Sequence, residues 1–509
     1  ILLAPIALIV YYFFESRELS FRSLLLLAIP LIGVLATFRL YVNVDTTYGE
    51  VSQLYEISQE FVFKYLNSLS ITKATGVDGY QARLLKMCAP SISQSLTYIY
   101  NMSLKTGNIP KEWKSAKISA IFKSGCNLSP GNYRPISVLP IVVKLIEKAV
   151  HIQIYEYMQT NKYLSFTQSG FRPKYSTQSS LHRVSENWYE NMYNGKLTGV
   201  VAIDLRKAFD TVDHKILLDK LQFYGINNKS LFWFNSYLTN RVQFTCIENT
   251  LSDPKIISTG VPQGSILGPL LFIIYMNDLP SCLDHSEVNM YADDTAIYIS
   301  DKNLDKIKNL LQSDLLKLQI WLNANKLSLN VEKSNVMLIC NHQKRSRLRN
   351  AKIDLELNGT NLKQIESVKY LGVIVDQELN WKIHIDKMCT KISRAIGLLK
   401  RVSKFIPFKA KLSLYNSIVL PHFDYCATLW GSASVTSLHK LQVLQNRAMR
   451  VILQCGYYTP QRELLYRLKW LSVKQRILLH RMVYIYKMMN RETPDYLNNI
   501  HTSVSSIHN

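Results

Sequence analysis

Three aspartates carry the strongest chemical signal in this 509-residue chain. Asp204 follows the short apolar run Val200 to Ile203, which reads as a buried strand, so its carboxylate stands where that strand ends. A carboxylate in such a place is costly unless it is paired or binds a metal. Asp293 and Asp294 lie side by side in V-N-M-Y-A-D-D-T-A-I-Y-I-S (Val288 to Ser300), whose apolar flanks predict a β-hairpin with both carboxylates at its tip. Adjacent carboxylates repel each other, and a divalent cation is the usual compensation. A D-D pair alone is a weak signal, and the separate strand-end Asp204 strengthens it. Together the three form a ligand set for two ions about 3.5–4 Å apart, which stabilise the attacking and leaving oxygens of an in-line phosphoryl displacement. One ion would activate a 3′-hydroxyl and the other would hold a triphosphate. Asp204 and Asp293 are expected to bridge the ions, with Asp294 in support.

Other residues nearby read as scaffolding. Asp213 precedes a helical pattern from His214 to Tyr224 and suits its N-cap, and Asp210 suits a turn. In G-V-P-Q-G-S-I-L-G-P-L-L-F-I-I-Y-M-N-D-L (Gly260 to Leu279), the nearly unbroken apolar run from Pro269 to Leu279 predicts a buried helix. Gly260, Pro262 and Gly264 form a loop whose bare backbone could approach a ligand closely, although a plain loop fits equally well.

The rest of the chain sets the context. The excess of 60 Lys+Arg over 37 Asp+Glu gives a net charge of +23, which favours a polyanion, nucleic acid ahead of an anionic membrane. The eight cysteines include no C-x-x-C pair and no zinc-ligand spacing, so core thiols in a reducing compartment are expected. Residues 1–48 differ from the remainder. Ile1 to Phe14 is almost wholly apolar, and Leu24 to Phe38 carries no charge. The second run is a candidate transmembrane segment, with membrane contact through residues 1–42; a buried helical hairpin is the competing reading. The chain starts at Ile1 rather than Met, as expected of a segment of a longer product. The basic stretch His342 to Asn350 is expected to be a solvated loop.

The order D-L-R-K-A-F-D (Asp204 to Asp210), G-V-P-Q-G-S-I-L-G-P (Gly260 to Pro269) and Y-A-D-D (Tyr291 to Asp294) resembles the reverse transcriptases of non-LTR retrotransposons, most closely the Jockey-like group. The likeness runs from about Ala74 to Asp376, with a weaker echo in the helical tail. It implies an RNA-directed DNA polymerase with two Mg²⁺ ions, Mn²⁺ able to substitute, and with an RNA template, a DNA primer and deoxynucleotides as partners. It places Lys123 and Arg134 on the incoming triphosphate, a sensible use of cations where charge grows during transfer. Phe209 falls at the sugar-gating aromatic, with a core role as the alternative. Gln263 and Gly264 fall beside the templating base and nucleotide. Lys333 falls where a lysine protonates the leaving pyrophosphate, and Val368 to Asp376 resembles the primer-grip hairpin. For Lys123, Arg134 and Lys333 an ordinary solvated cation is the plain alternative. The segment Q-S-G-F-R-P (Gln168 to Pro173) matches a further motif of the fingers.

The expected fold is an α+β right hand preceded by a short apolar helical segment. Fingers span 50–198, a palm with an antiparallel sheet 199–377, and a helical thumb and tail 378–509. In the thumb, Ile385, Met388, Ile392, Ile396 and Leu399 form an apolar helical stripe, and Lys391 and Arg394 stand on a basic face suited to a nucleic-acid backbone. Upstream endonuclease, zinc-knuckle and ribonuclease H patterns are not evident, so the chain is expected to polymerise without cutting a target. The family implies a nuclear or cytoplasmic location, with membrane association if the N-terminal segment is genuine. The rival from another class is a catalytically silent, RNA-binding remnant fused to a membrane segment; the intact aspartates weigh against it.

Overall fold

The computed structural model describes residues 54–498, apart from 249 and 349–351. The N-terminal apolar region, with its membrane reading, lies outside the described residues. Among the described residues no helix is long and apolar enough to cross a membrane.

A five-stranded sheet organises the middle of a mixed α+β chain. Its spatial order is Lys363–Gln364, Asn335–Ile339, Leu197–Ile203, Asp294–Asp301 and Glu287–Tyr291. Neighbours pair antiparallel, except that the short edge strand Lys363–Gln364 runs parallel to Asn335–Ile339. The central strand Leu197–Ile203 is buried along nearly its whole length because both faces of the sheet are covered. Alternate side chains serve different cores, as the period of two requires. Val201 and Ile203 pack with Ile307 and Leu311, whereas Val200 packs with Trp188, Tyr298 and Met337. Gly199 allows the close approach of the helix Leu304–Ala324: a Cβ there would stand 2.7 Å from Ile307 and 2.8 Å from Leu311.

A second sheet draws its strands from before and after Leu197–Ile203. Ser115–Phe122 pairs antiparallel with Tyr133–Val138 and parallel with Arg241–Ile247. Pro135 sits on Tyr133–Val138, the edge strand, where a missing N–H is tolerated.

The expected apolar helix is present as Leu267–Tyr275, with every residue but Pro269 buried. It ends at Tyr275, and Leu279 belongs instead to the short 3₁₀ turn Leu279–Cys282. The fully buried Glu147 carboxylate holds the helix start, accepting from Ile266 N at 2.7 Å and from the Tyr237 hydroxyl at 2.6 Å.

Beyond the hairpin Ser367–Tyr370 and Val373–Asp376 the described chain is helical. The helix Lys382–Val402 buries Ile385, Met388, Ile392, Ile396 and Leu399, as their spacing predicts. Asp376 anchors its start by accepting from Trp381 N at 2.9 Å and Asn380 N at 3.1 Å.

One expected loop is a helix. Within His342 to Asn350, the residues His342–Arg347 are helical. Asn341 caps the helix by accepting from Lys344 N at 2.9 Å. Arg345 pairs with Glu378 at 3.0 Å and Glu366 at 3.3 Å, and the Lys344 ammonium donates to the Gly195 carbonyl. Partners distant in sequence convert a solvated turn into a docked element.

Candidate active site

Asp204 is the first residue past the central strand, as expected. Its carboxylate accepts from Asn330 Nδ2 at 3.0 Å, and its carbonyl accepts from Asn330 N at 2.8 Å. Its amide donates to the Ser334 hydroxyl at 3.3 Å. These bonds come from the turn that carries Lys333, so that exposed lysine lies on the same loop that orients Asp204.

The neighbouring strand begins at Asp294, and the hairpin register pairs Tyr291 with Asp294. Ala292 and Asp293 are therefore a two-residue turn, and Ala292 takes the left-handed φ of 57° that tight hairpins need. Ile203 lies opposite Thr295, which sets Asp204 alongside this turn.

The Asp204 charge acts on both hairpin carboxylates. Burial raises the Asp293 acid above the usual carboxylate range; the Asp204 charge raises it further, and Lys123 and Arg134 oppose the shift. The Asp294 acid is pushed up to about 6, first by loss of water around the carboxyl and then by the charges of Asp293 and Asp204. Asp294 nonetheless has an exposed surface, so solvent reaches its carboxylate. Among the described residues no three His, Cys, Asp or Glu side chains form a ready-made cation cage. The aspartates are electrostatic neighbours rather than a drawn-in coordination shell. Their hard oxygen donors and shared negative charge nevertheless fit divalent cations of the Mg²⁺ type.

Lys123 and Arg134 reach this centre from the second sheet. Lys123 N donates to Asn132 O at 2.9 Å just beyond the strand Ser115–Phe122, and Arg134 lies opposite Ile121 in the register. Both side chains are exposed, and both lower the acid shift at Asp293. Lys369, on the hairpin strand Ser367–Tyr370, also acts on Asp294 and was not singled out from sequence. Its neighbour Tyr370 receives a 2.7 Å bond from the buried Asn289 amide, which ties that hairpin to the strand Glu287–Tyr291. The only sequence signal for this was its place in V-K-Y-L-G.

Phe209 is half-buried. Its ring stacks on Phe272 of the apolar helix with centroids 4.3 Å apart, and Phe171 meets it edge-on at 6.0 Å. Its carbonyl accepts from Val261 N at 2.9 Å, which joins it to the Gly-rich loop. In that loop Gln263 donates to the Asp210 carboxylate at 2.8 Å, and its carbonyl accepts from Ser137 N at 2.6 Å. Gly260 and Gly264 meet protein rather than open space. A Cβ on Gly260 would stand 2.8 Å from Asp210 O, and one on Gly264 2.6 Å from Ser137 O. The positive φ values of 87° and 117° and this close approach explain both glycines.

Asp213 caps the helix His214–Phe223, accepting from Ile216 N at 3.1 Å and pairing with Lys326 at 2.6 Å, as its sequence position suggests. Lys391 and Arg394 are exposed on Lys382–Val402. The titratable groups that feel Lys391 are His384 and His422.

Comparison with known proteins agrees with this geometry. Residues 118–375, about half of the chain, match the family described as reverse transcriptase (RNA-dependent DNA polymerase). The chain is 31% identical over 441 residues to the probable RNA-directed DNA polymerase from transposon BS of Drosophila melanogaster, covering 83% of this chain and 48% of the relative. It is 29% identical over 420 residues to the RNA-directed DNA polymerase from mobile element jockey of the same species, covering 80% and 45%. The jockey polymerase of Drosophila funebris is 30% identical over 421 residues, again covering 80% and 45%. The chain thus spans about half the length of these relatives. With the three aspartates brought together and the matched residues running from the strand Ser115–Phe122 to the hairpin strand Val373–Asp376, the chain belongs to the reverse transcriptase family, in its non-LTR, Jockey-like branch.

Proposed function

We propose that this chain is the polymerase module of a retrotransposon reverse transcriptase. It adds deoxynucleotides to a DNA 3′-end on an RNA template, and on DNA templates as well. The observation that carries the proposal is the meeting of Asp204, at a strand end, with Asp293 and Asp294, at a hairpin turn, where the Asp204 charge acts on both of the other acids.

Asp204, Asp293 and Asp294 would hold divalent metal ions, typically Mg²⁺ in this family, which when bound supply nucleophile activation and charge neutralisation. The chain's own residues do the rest. Lys123 and Arg134 neutralise the triphosphate as charge builds on it, which lowers the barrier without reorganisation of water. The primer 3′-oxygen displaces pyrophosphate at the α-phosphorus, and Lys333 donates a proton to that leaving group. The ring of Phe209, fixed from behind by Phe272, presents a flat surface to the sugar and leaves no room for a 2′-hydroxyl. Gln263 and Gly264 shape the floor beside the templating base. Lys391 and Arg394 contact the backbone of the product duplex. In this reading residues 50–198 are fingers, 199–377 palm, and 378–509 thumb and tail, and the product acts in nucleus or cytoplasm during retrotransposon replication.

The test is primer extension on an RNA template by the purified chain. Extension should require a divalent cation, stop on chelation, and use deoxynucleotides in preference to ribonucleotides. A chain that binds RNA but extends nothing with Mg²⁺ or Mn²⁺ would return the assignment to a silent RNA-binding remnant.

A further inference from the structure

We propose that Gln168 is a positioning residue that sets the orientation of Asp293 through Ala292; the proposal rests on the reading of Asp293 as a metal-holding group. Gln168 is fully buried. Its Oε1 accepts from Ala292 N at 2.9 Å and from Gly170 N at 2.8 Å, while its Nε2 donates to Ala292 O at 3.3 Å. One side chain thus holds both backbone polar groups of Ala292. That carbonyl belongs to the peptide unit leading into Asp293, so fixing it fixes the direction in which the Asp293 backbone sets out.

The surrounding chain reinforces the clamp. Ser169 N donates to Met290 O at 2.8 Å, and Met290 N donates to Thr167 O at 2.9 Å. Gly170 lies against the turn, where a Cβ would stand 2.2 Å from Ala292 N. The buried Arg172 ties the segment down, donating to Ser165 O at 2.7 Å, to Gln168 O at 3.1 Å, and to Gln159 Oε1 at 3.0 Å. Gln159 belongs to the helix Ile141–Thr160, so the turn is braced against a long rigid element.

This brace has a reason. Ala292 holds a φ of 57°, which residues other than Gly seldom keep unless their surroundings impose it. An apolar side chain of the same volume would fill the space of Gln168 but leave Ala292 N and O without partners. The requirement at this position is therefore hydrogen bonding aimed at one residue, not packing alone.

The experiment uses the full chain with Gln168→Met, which removes all three bonds at similar volume, and with Gly170→Ala, which presses on the same turn from its other side. Three quantities are read: thermal midpoint, Mn²⁺ affinity from the electron paramagnetic resonance signal of the free ion, and kcat and KM for a deoxynucleotide. Gln168→Met should weaken Mn²⁺ binding about tenfold and lower kcat at least about tenfold, as loss of a group that orients metal ligands does. KM should stay within about twofold. Gly170→Ala should move Mn²⁺ affinity in the same direction. If both variants lower the thermal midpoint but bind Mn²⁺ as the wild type does, Gln168 is structural and the proposal is overturned. If the wild type binds Mn²⁺, Asp293→Asn does not, and Gln168→Met matches the wild type, the clamp alone fails. If the wild type and Asp293→Asn are equally unable to bind Mn²⁺, the metal-site reading fails and the clamp falls with it.

Discussion

Lys123 and Arg134 on one side, and Lys344 and Arg345 on the other, are all cations of short surface segments, yet their charge goes to different uses. The first pair stands by the strands Ser115–Phe122 and Tyr133–Val138, and its charge is felt at Asp293. The second pair is absorbed locally, Arg345 by Glu366 and Glu378 and Lys344 by the Gly195 carbonyl. A net charge of +23 therefore does not locate a binding site by summation. What matters is which cations face carboxylates that themselves need a counter-ion, and which are already occupied by structural acids.

Substitution separates the two groups. Arg134→Gln and Lys123→Gln should each lower kcat/KM for the deoxynucleotide, by about 10–100-fold, because each removes charge stabilisation from the triphosphate. Arg345→Gln should leave kcat/KM within about twofold and lower the thermal midpoint slightly. Steady-state extension kinetics and circular dichroism read both. Equal kinetic losses in the two groups would erase the distinction.

Phe209 sharpens the contrast, because in its proposed role packing rather than charge would set selectivity. Phe209→Val should reduce the ratio of kcat/KM for deoxynucleotide over ribonucleotide by roughly tenfold or more while deoxynucleotide use continues. The stack on Phe272 means that some stability is lost as well. A fallen thermal midpoint with an unchanged ratio would make Phe209 a core residue only.

Sequence reasoning reached these elements unevenly, for physical reasons. Asp204, the aspartate hairpin and the stripe from Ile385 to Leu399 were legible because local periodicity and turn chemistry decide them. The helix His342–Arg347 was not, since Glu366 and Glu378 stabilise it from elsewhere in the chain. The purpose of Gly264 was hidden for the same reason: Ser137, which it must accommodate, lies on a strand far away in the sequence. Lys369 comes to Asp294 beside a buried tyrosine–asparagine bond between two hairpins, a meeting that spacing along the chain does not announce.

Lys391 and Arg394 form a third case, exposed on the helix Lys382–Val402. Replacing both with Gln should make the plot of log affinity for duplex against log salt shallower, by about 0.9 for each phosphate no longer neutralised. An unchanged slope would reduce them to solvated cations.

The smallest expected effect concerns Asp294. Its acid is raised to about 6, so the folded state carries a charge at neutral pH that the unfolded chain carries more easily. In metal-free buffer Asp294→Asn should raise the thermal midpoint at pH 7.5 by on the order of 1–2 °C, the size allowed for a group exposed to water. The advantage should shrink as pH falls through 6, where the wild-type carboxyl takes up its proton. A pH-independent difference would remove the raised Asp294 acid, from burial and like charges together, as the cause.

The aspartates themselves decide the whole account. Single-turnover addition of one deoxynucleotide to a DNA primer on an RNA template, with Mg²⁺, should be measured for the wild type, Asp204→Asn and Asp293→Asn. Each substitution keeps the side chain's shape and removes its charge. The account predicts a loss on the order of a thousand-fold or more in rate for each, with primer–template affinity retained. Near-normal addition by either purified variant would contradict it.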